Sequence, residues 1–402
     1  MESVDSGAVS MLVMLDLSAA FDTVPHERLF NRLEVTFGIS GQVLNWIKSY
    51  LTNRSQTIGI GDGQSSPKTL RCGVPQGSVL GPKLFCLYTK PLSSIVIRHN
   101  GIIYHIYADD TQLYVRVEFD PDTGSTTGIC EMLDCVAHIS KWMVVNSLKL
   151  NADKTEIIFF GSQYQLRKLN IDNLDLRIGT SQIKPSTVVR NLGAYQDSLL
   201  TMKDHVSNVC QSCYGQLFCI RRIRKFLSPD AAQTIVRALV ISRMDYCNAL
   251  LSTANGTVIA KLQRVQNFAA RIVFKLPRRA HITPALYELH WLPVSCRIHF
   301  KILVFVYQCL NGYAPAYLSE KLNIHVSSRR LRSELISPNR LDIPQFRTET
   351  YGRNRFSVLG PTLWNLIPVT IQESPSVDAF KKNLKFHMFK NHYTSERFEH
   401  IP

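Results

Sequence analysis

Near its amino end the chain presents "VSMLVMLDLSAAF", an apolar run closed by Asp16. A short, nearly continuous apolar run of this kind reads as a buried strand. "HERLFNRLEVTFG" and "SGQVLNWIKSYLTNR" follow with the spacing of amphipathic helices, and Ser40 stands where the second would take its N-cap. "QTIGIGDGQSSPKTLRCGV" reads as a hairpin around Gly61-Asp62-Gly63. "GVPQGSVLGP" is a loop of three glycines and two prolines, and an apolar helix is expected after it over 83–97. "HIYADDTQLYV" then reads as strand, tight turn, strand. Over 126–146 a helix is predicted, with Met132, Val136, Ile139 and Met143 near one face. "LKLNADKTEIIFFG" returns to strand, and a small hairpin and strand follow to about residue 195.

After about residue 200 the alternation gives way to helical spacing, with helices predicted over 204–226, 229–250, 256–275, 296–310 and 376–391. The first places Val206, Val209, Cys213, Leu217 and Ile220 on one side. Residues 325–374, richer in Pro, Arg and Ser, read as irregular. Strands interleaved with helices, then helices alone, predict an α+β domain followed by a helical one.

Charge sharpens this division. The net charge is +15 over 402 residues. Residues 1–200 hold 18 Lys+Arg against 19 Asp+Glu, and residues 201–402 hold 28 against 12. A basic half suggests a polyanionic partner, nucleic acid above all, although a solvated basic surface gives the same count. No run has the length of a membrane-spanning helix, so no membrane is expected. Glu2 and Asp5 do not suit a secretory signal. The ten dispersed cysteines read as reduced intracellular thiols.

The chemistry is expected at the aspartates. Asp16 ends the first strand, and Asp109 and Asp110 sit at a hairpin turn. If these strands are neighbours, three carboxylates converge at one sheet edge. Oxygen-only donors of this kind suit Mg²⁺ or Mn²⁺, and paired ions can clamp a phosphoryl transfer. An Asp-Asp pair alone is first of all ordinary turn chemistry, since Asp favours turns. The second strand-end Asp and the glycine-rich loop, in order, separate the two readings.

"LDLSAAFDTV", "GVPQGSVLGPKLF" and "YADDTQLY", in this order and spacing, resemble the A, B and C motifs of reverse transcriptases, in particular those of non-LTR (LINE-type) retrotransposons. "LNADKTEIIFFG" resembles their D motif and "VVRNLGAYQDSLL" their E motif. "SRMDYCNALL", "LQRVQNFAARIV", "LHWLPVSCRIHFKI" and "GPTLWNLIP" resemble the region that follows. The resemblance implies an antiparallel palm over 1–200, a helical thumb-like region over 201–280 and a basic helical or irregular region over 281–402. It implies an RNA-directed DNA polymerase using Mg²⁺ or Mn²⁺, dNTP substrates, an RNA template and a DNA primer or target, acting in the nucleus or in a cytoplasmic ribonucleoprotein. Asp16 and Asp109 match the metal-binding aspartates, and Asp110 the second aspartate of the C motif. Phe21 matches the aromatic gate against a ribose 2′-OH, or is a core Phe. Gln76 and Gly77 match the loop lining the nascent base pair. Lys154 matches a lysine placed to protonate pyrophosphate. Arg221, Arg222, Arg224, Lys225, Arg264 and Arg271 are expected to track phosphates.

With Met1 fifteen residues before Asp16, the chain is expected to lack the family's fingers and upstream endonuclease. The alternative is therefore a weakly active or inactive remnant that binds nucleic acid through its basic half. "RRIRK" also suits a nuclear-import patch. "CQSC" (Cys210 to Cys213) has zinc-like spacing but reads as a packed helix face, as do Cys296 and His299.

Overall fold

Strand β1 (Val9–Ser18) is the spine of the first of two compact units, Gly7–Thr187. Its alternate residues Val9, Met11, Val13, Leu15 and Leu17 all enter one core cluster, the period-2 result of packing one face. The computed structural model describes residues 1–119, 126–169, 171, 174, 176–178, 181–325 and 339–393. Strands β2 (Ile102–Tyr107), β3 (Asp110–Phe119) and β4 (Lys149–Phe160) join β1 in an antiparallel sheet of order β2-β3-β1-β4. β1 therefore has a partner on each side. Val9 to Leu15 pair with Val117 to Thr111, and Ser10 to Met14 with Phe160 to Glu156.

Helices α1 (His26–Val35), α2 (Gly41–Leu51), α3 (Gly81–Thr89), α4 (Leu92–Val96) and α5 (Ile129–Val145) supply the rest of this core. Met132, Val136, Ile139 and Met143 of α5 are all buried, as their spacing predicts. The apolar helix expected over 83–97 is two helices, because Pro91 has no N–H to donate back across the turn. Ser40 occupies the N-cap of α2, but its side chain makes no capping bond. Arg32 ties three distant segments together. Its guanidinium lies 4.5 Å from the Tyr88 ring centroid, bonds the Tyr88 carbonyl, and donates to Asn146 Oδ1 at 2.6 Å.

The second unit is Met1–Ser6 with Val188–Pro402. A hairpin, β5 (Val188–Asn191) and β6 (Ala194–Asp197), precedes helices α6 (Lys203–Ile223), α7 (Pro229–Val236), α8 (Gly256–Phe274), α9 (Val294–Leu310), α10 (Phe356–Trp364) and α11 (Val377–Tyr393). α6 and α8 share a core cluster through Val206, Cys213, Leu217, Ile220, Leu262, Val265 and Ala269. The helix expected over 229–250 is interrupted by a π turn at Arg237–Ile241 and ends at Asp245.

The segment 325–374 contains α10, a helix that its Gly360-Pro361 pair concealed. Burial of Val358 and Trp364 outweighs the local cost of the proline. Residues 326–338 lie outside the described residues. Asp5, 5% exposed, anchors this part of the unit. Its Oδ1 accepts from the Arg347 and Thr348 N–H groups and from Thr348 Oγ1 at 2.7–3.0 Å. Arg355 lies 3.4 Å from its Oδ2.

Candidate active site

β2 and β3 are joined by a two-residue turn, Ala108-Asp109, with Tyr107 opposite Asp110. Ala108 has φ 54°, left-handed for a residue with a side chain. Such conformations persist only where surrounding pairing enforces them, and they concentrate at working sites. β1 registers Leu15 against Thr111, so the next residues along, Asp16 and Asp110, are neighbours on the opposite sheet face. Strand pairing thus sets Asp16 beside Asp110, with Asp109 in the adjoining turn.

The electrostatics agree. Asp110 titrates above the ordinary carboxylate range. Burial by neighbouring atoms is the first cause, and the charges of Asp109 and Asp16 push the same way. Because Asp110 stands at an exposed position, the like-charge contribution is the better guide to its setting. Asp16 Oδ2 is buried and has no hydrogen-bond partner among the described residues. An orphaned, buried carboxylate oxygen beside two other acids suits a hard divalent cation. Among the described residues, however, no three His, Cys, Asp or Glu side chains stand close enough to form a finished ligand set. The donors fit the cation in kind, and the sheet gathers them without closing them around a point.

The glycine-rich loop is fastened onto the segment after β1. Val74 N–H donates to the Phe21 carbonyl at 2.7 Å, and Gly73 N–H to the Val24 carbonyl at 2.8 Å. His26 Nε2 lies 2.8 Å from the Gly73 carbonyl oxygen. A Cβ on Gly73 would lie 3.1 Å from the Asp22 carbonyl oxygen, and one on Gly81 only 2.4 Å from that of Pro75. Both glycines are close-approach positions. Gly77 differs: a Cβ there would meet nothing within 4 Å, and its φ of 75° is what calls for glycine. Gln76 donates to Asp22 Oδ1 at 3.1 Å. Phe21 stacks on Phe85 with centroids 4.7 Å apart and is half-buried, so one ring has both a core contact and an exposed part. Sequence reasoning passed over Asp22 and His26. They lie inside "AAFDTVPH", but only the docked loop reveals their partners.

Lys154 sits where β4 bulges. Met14 pairs with Glu156 and Asp16 with Asn151, so Ala152 to Thr155 oppose Leu15 alone. Thr155 Oγ1 donates to the Asn151 carbonyl at 2.7 Å and closes the bulge. Bulges re-aim side chains beside working sites, and Lys154 is exposed on this one.

The six basic residues of the second unit separate. Arg221, Arg222, Lys225 and Arg264 are exposed. Arg224, 6% exposed, is a correction to the phosphate-binding reading. Its guanidinium donates to the carbonyls of Ile272, Val273 and Leu227 and so caps the end of α8. Half-buried Arg271 donates to the Ala280 carbonyl at 3.3 Å and holds the turn after α8. Cys213 is buried, its thiol donates to the Val240 carbonyl, and burial raises it to about 11, as suits a packed helix face.

Residues 3–194 match the family Reverse transcriptase (RNA-dependent DNA polymerase). This part of the chain belongs to that family. The reverse transcriptase domain is of the non-LTR retrotransposon kind, and the family works with divalent cations. The RNA-directed DNA polymerase from mobile element jockey of Drosophila melanogaster is 26% identical over 53% of this chain and 22% of its own length. The probable RNA-directed DNA polymerase from transposon X-element of the same fly is 24% identical over 67% of this chain and 29% of its own. The type-1 retrotransposable element R2 polyprotein of Popillia japonica is 39% identical over 18% of this chain and 10% of its own. The chain thus spans 22–29% of the Drosophila relatives' lengths. A telomerase from Candida tropicalis aligns at TM-score 0.34 and 11% identity, over 70% of this chain and 48% of that one.

Proposed function

We propose that this chain is the polymerising part of a mobile-element protein and extends a DNA primer on an RNA template with dNTPs. The observation that carries the reading is the register that sets Asp16 beside Asp110, with Asp109 at the adjoining turn. Mg²⁺, with Mn²⁺ as the alternative, is the proposed cation, held by Asp16 and Asp109 with Asp110 beside them. When bound, it neutralises charge developing on the attacking hydroxyl and the leaving pyrophosphate.

The chain's own groups do the rest. Gln76, oriented by Asp22, and the bare backbone at Gly77 face the nascent base pair. Phe21, fixed against Phe85, limits the space beside the sugar. Lys154 donates the proton that the pyrophosphate takes up. Arg221, Arg222, Lys225 and Arg264 contact phosphates without reading sequence.

Primer extension on poly(rA)/oligo(dT) with Mg²⁺ tests this. Asp109→Asn should lower extension at least about a hundredfold. Extension unchanged in that variant refutes the assignment. A second reading, binding without catalysis, draws on the exposed basic residues Arg221, Arg222, Lys225 and Arg264 of the second unit. It predicts no extension at any Mg²⁺ concentration, with a steep salt dependence of RNA affinity.

A further inference from the structure

One face of α2 is left open. Leu44, Ile47 and Leu51 turn into the core, while Val43 and Trp46 are 60% and 57% exposed. Trp46 and Tyr50, four residues apart, lie on the same side of the helix. Their rings are nearly parallel, 13° apart in plane and 6.3 Å between centroids. The Arg54 guanidinium continues the stack, 5.4 Å from the Tyr50 centroid. The result is a ladder of exposed indole, half-buried phenol and exposed guanidinium along one edge of the helix.

The ladder runs into the base of a protruding β-ribbon, where Ser55 pairs with Thr69, Gln56 with Lys68, and Arg54 accepts from Leu70 N–H. This register sets Lys68 on the same face of the ribbon as Arg54, at the foot of the ladder, with Arg71 one residue beyond Leu70. Within 41–71 four basic residues face one acid, Asp62, which sits at the far tip of the ribbon. Local positive charge beside exposed π faces matches a flexible polyanion whose rings are free to stack. A duplex hides its base faces, and an acidic peptide has no use for the ladder. After Cys72 the chain enters the Gly73–Gly81 loop, whose Gly73 and Val74 N–H groups bond the segment that follows Asp16.

We infer that Trp46, Tyr50 and Arg54 form a stacking platform for single-stranded RNA, the unpaired template approaching the site. The choice of RNA over DNA rests on the proposed polymerase activity. A base stacks on the open face of Trp46 beside Val43, and Arg54 and Lys68 take the phosphates. Base–aromatic stacking tolerates any sequence, so the platform grips template without selecting it.

Fluorescence anisotropy of the full chain with fluorescein-labelled oligo(rU) tests this. Trp46→Ala with Tyr50→Ala should weaken binding about tenfold, whereas Trp46→Phe should stay within about twofold. Arg54→Glu should weaken binding and flatten its salt dependence. Because Tyr50 also packs against the core, circular dichroism checks the fold of the double variant, and Trp46→Ala alone, at a 57% exposed position, should still weaken oligo(rU) binding severalfold. Unchanged oligo(rU) affinity in the double variant overturns the inference. So does an equal loss on blunt duplex RNA, or a loss confined to oligo(dT). A change in sedimentation with RNA affinity intact would make this a face between copies of the chain and also overturn it. The polymerase reading is judged separately. Extension by the wild type with no RNA-binding loss in the ladder variant sinks the platform alone. RNA-binding loss without any wild-type extension sinks the polymerase reading alone.

Discussion

Asp110 carries opposing demands in one side chain. Its carboxyl is held above the usual range by partial burial and by the charges of Asp109 and Asp16. A folded pKa above the unfolded value stabilises the fold at low pH, and that contribution is lost as pH rises through the folded value. At neutral pH without divalent cations the three acids therefore work against the fold. Asp110→Asn should raise the melting temperature at pH 7 in EDTA, with the gain shrinking toward pH 4. The same variant should lose the stabilisation that added Mg²⁺ gives the wild type. A melting temperature lower than wild type in EDTA would contradict this account. Arg224 shows the reverse case, a basic residue spent on structure. Arg224→Ala should cost about 3 kcal/mol in urea unfolding, by leaving the carbonyls at the end of α8 without donors. Arg264→Ala, exposed, should leave stability alone and lower the salt slope of RNA binding by about one unit.

Among the elements, the docked loop is the most sensitive to substitution. Gly81→Ala would place a Cβ 2.4 Å from the Pro75 carbonyl oxygen, where only backbone can give way. Its expected cost is about 1–3 kcal/mol in chemical unfolding, with primer extension falling as Gln76 shifts. Extension at wild-type level would show that the loop tolerates the displacement. These same elements show what the sequence makes legible. β1, α5 and the "YADD" hairpin were readable because their apolar periodicity coincides with burial and their turn needs only two residues. The break at Pro91 was readable in principle, yet the apolar run on both sides masked it. α10 was not, because Gly360 and Pro361 argue locally against a helix that is held by the distant partners of Trp364 and Val358. The phosphate role of Arg224 failed for a like reason. A charge run shows composition, and only tertiary packing shows which of its members turns inward. The bulge at Lys154 and the bond from Gln76 to Asp22 depend on pairing between remote segments, which no local pattern encodes.

At the scale of the whole molecule, Asp5 binds the first residues into the second unit. Burial pushes its carboxyl up, but hydrogen bonds from Thr348 and Arg347 and the charge of Arg355 bring it below the usual range. The stabilisation is present above the ordinary aspartate pKa and is lost as pH falls through the lowered folded value. Asp5→Ala should destabilise by about 3 kcal/mol at pH 7, since it strands Arg355 and three donors, and by progressively less as pH falls through the lowered folded value. Thermal unfolding across that range checks both ends. The sheet order has a further consequence, for the birth of the protein. β1 is translated before either flanking strand, and its first partner residue, Thr111, is made about a hundred residues later. At about 5–20 residues per second, "VSMLVML" spends on the order of 5–20 s outside the sheet that will enclose it. An apolar strand at the middle of the sheet is thus its longest-waiting one, with both edges unpaired until the residues that bracket Asp16 have been made.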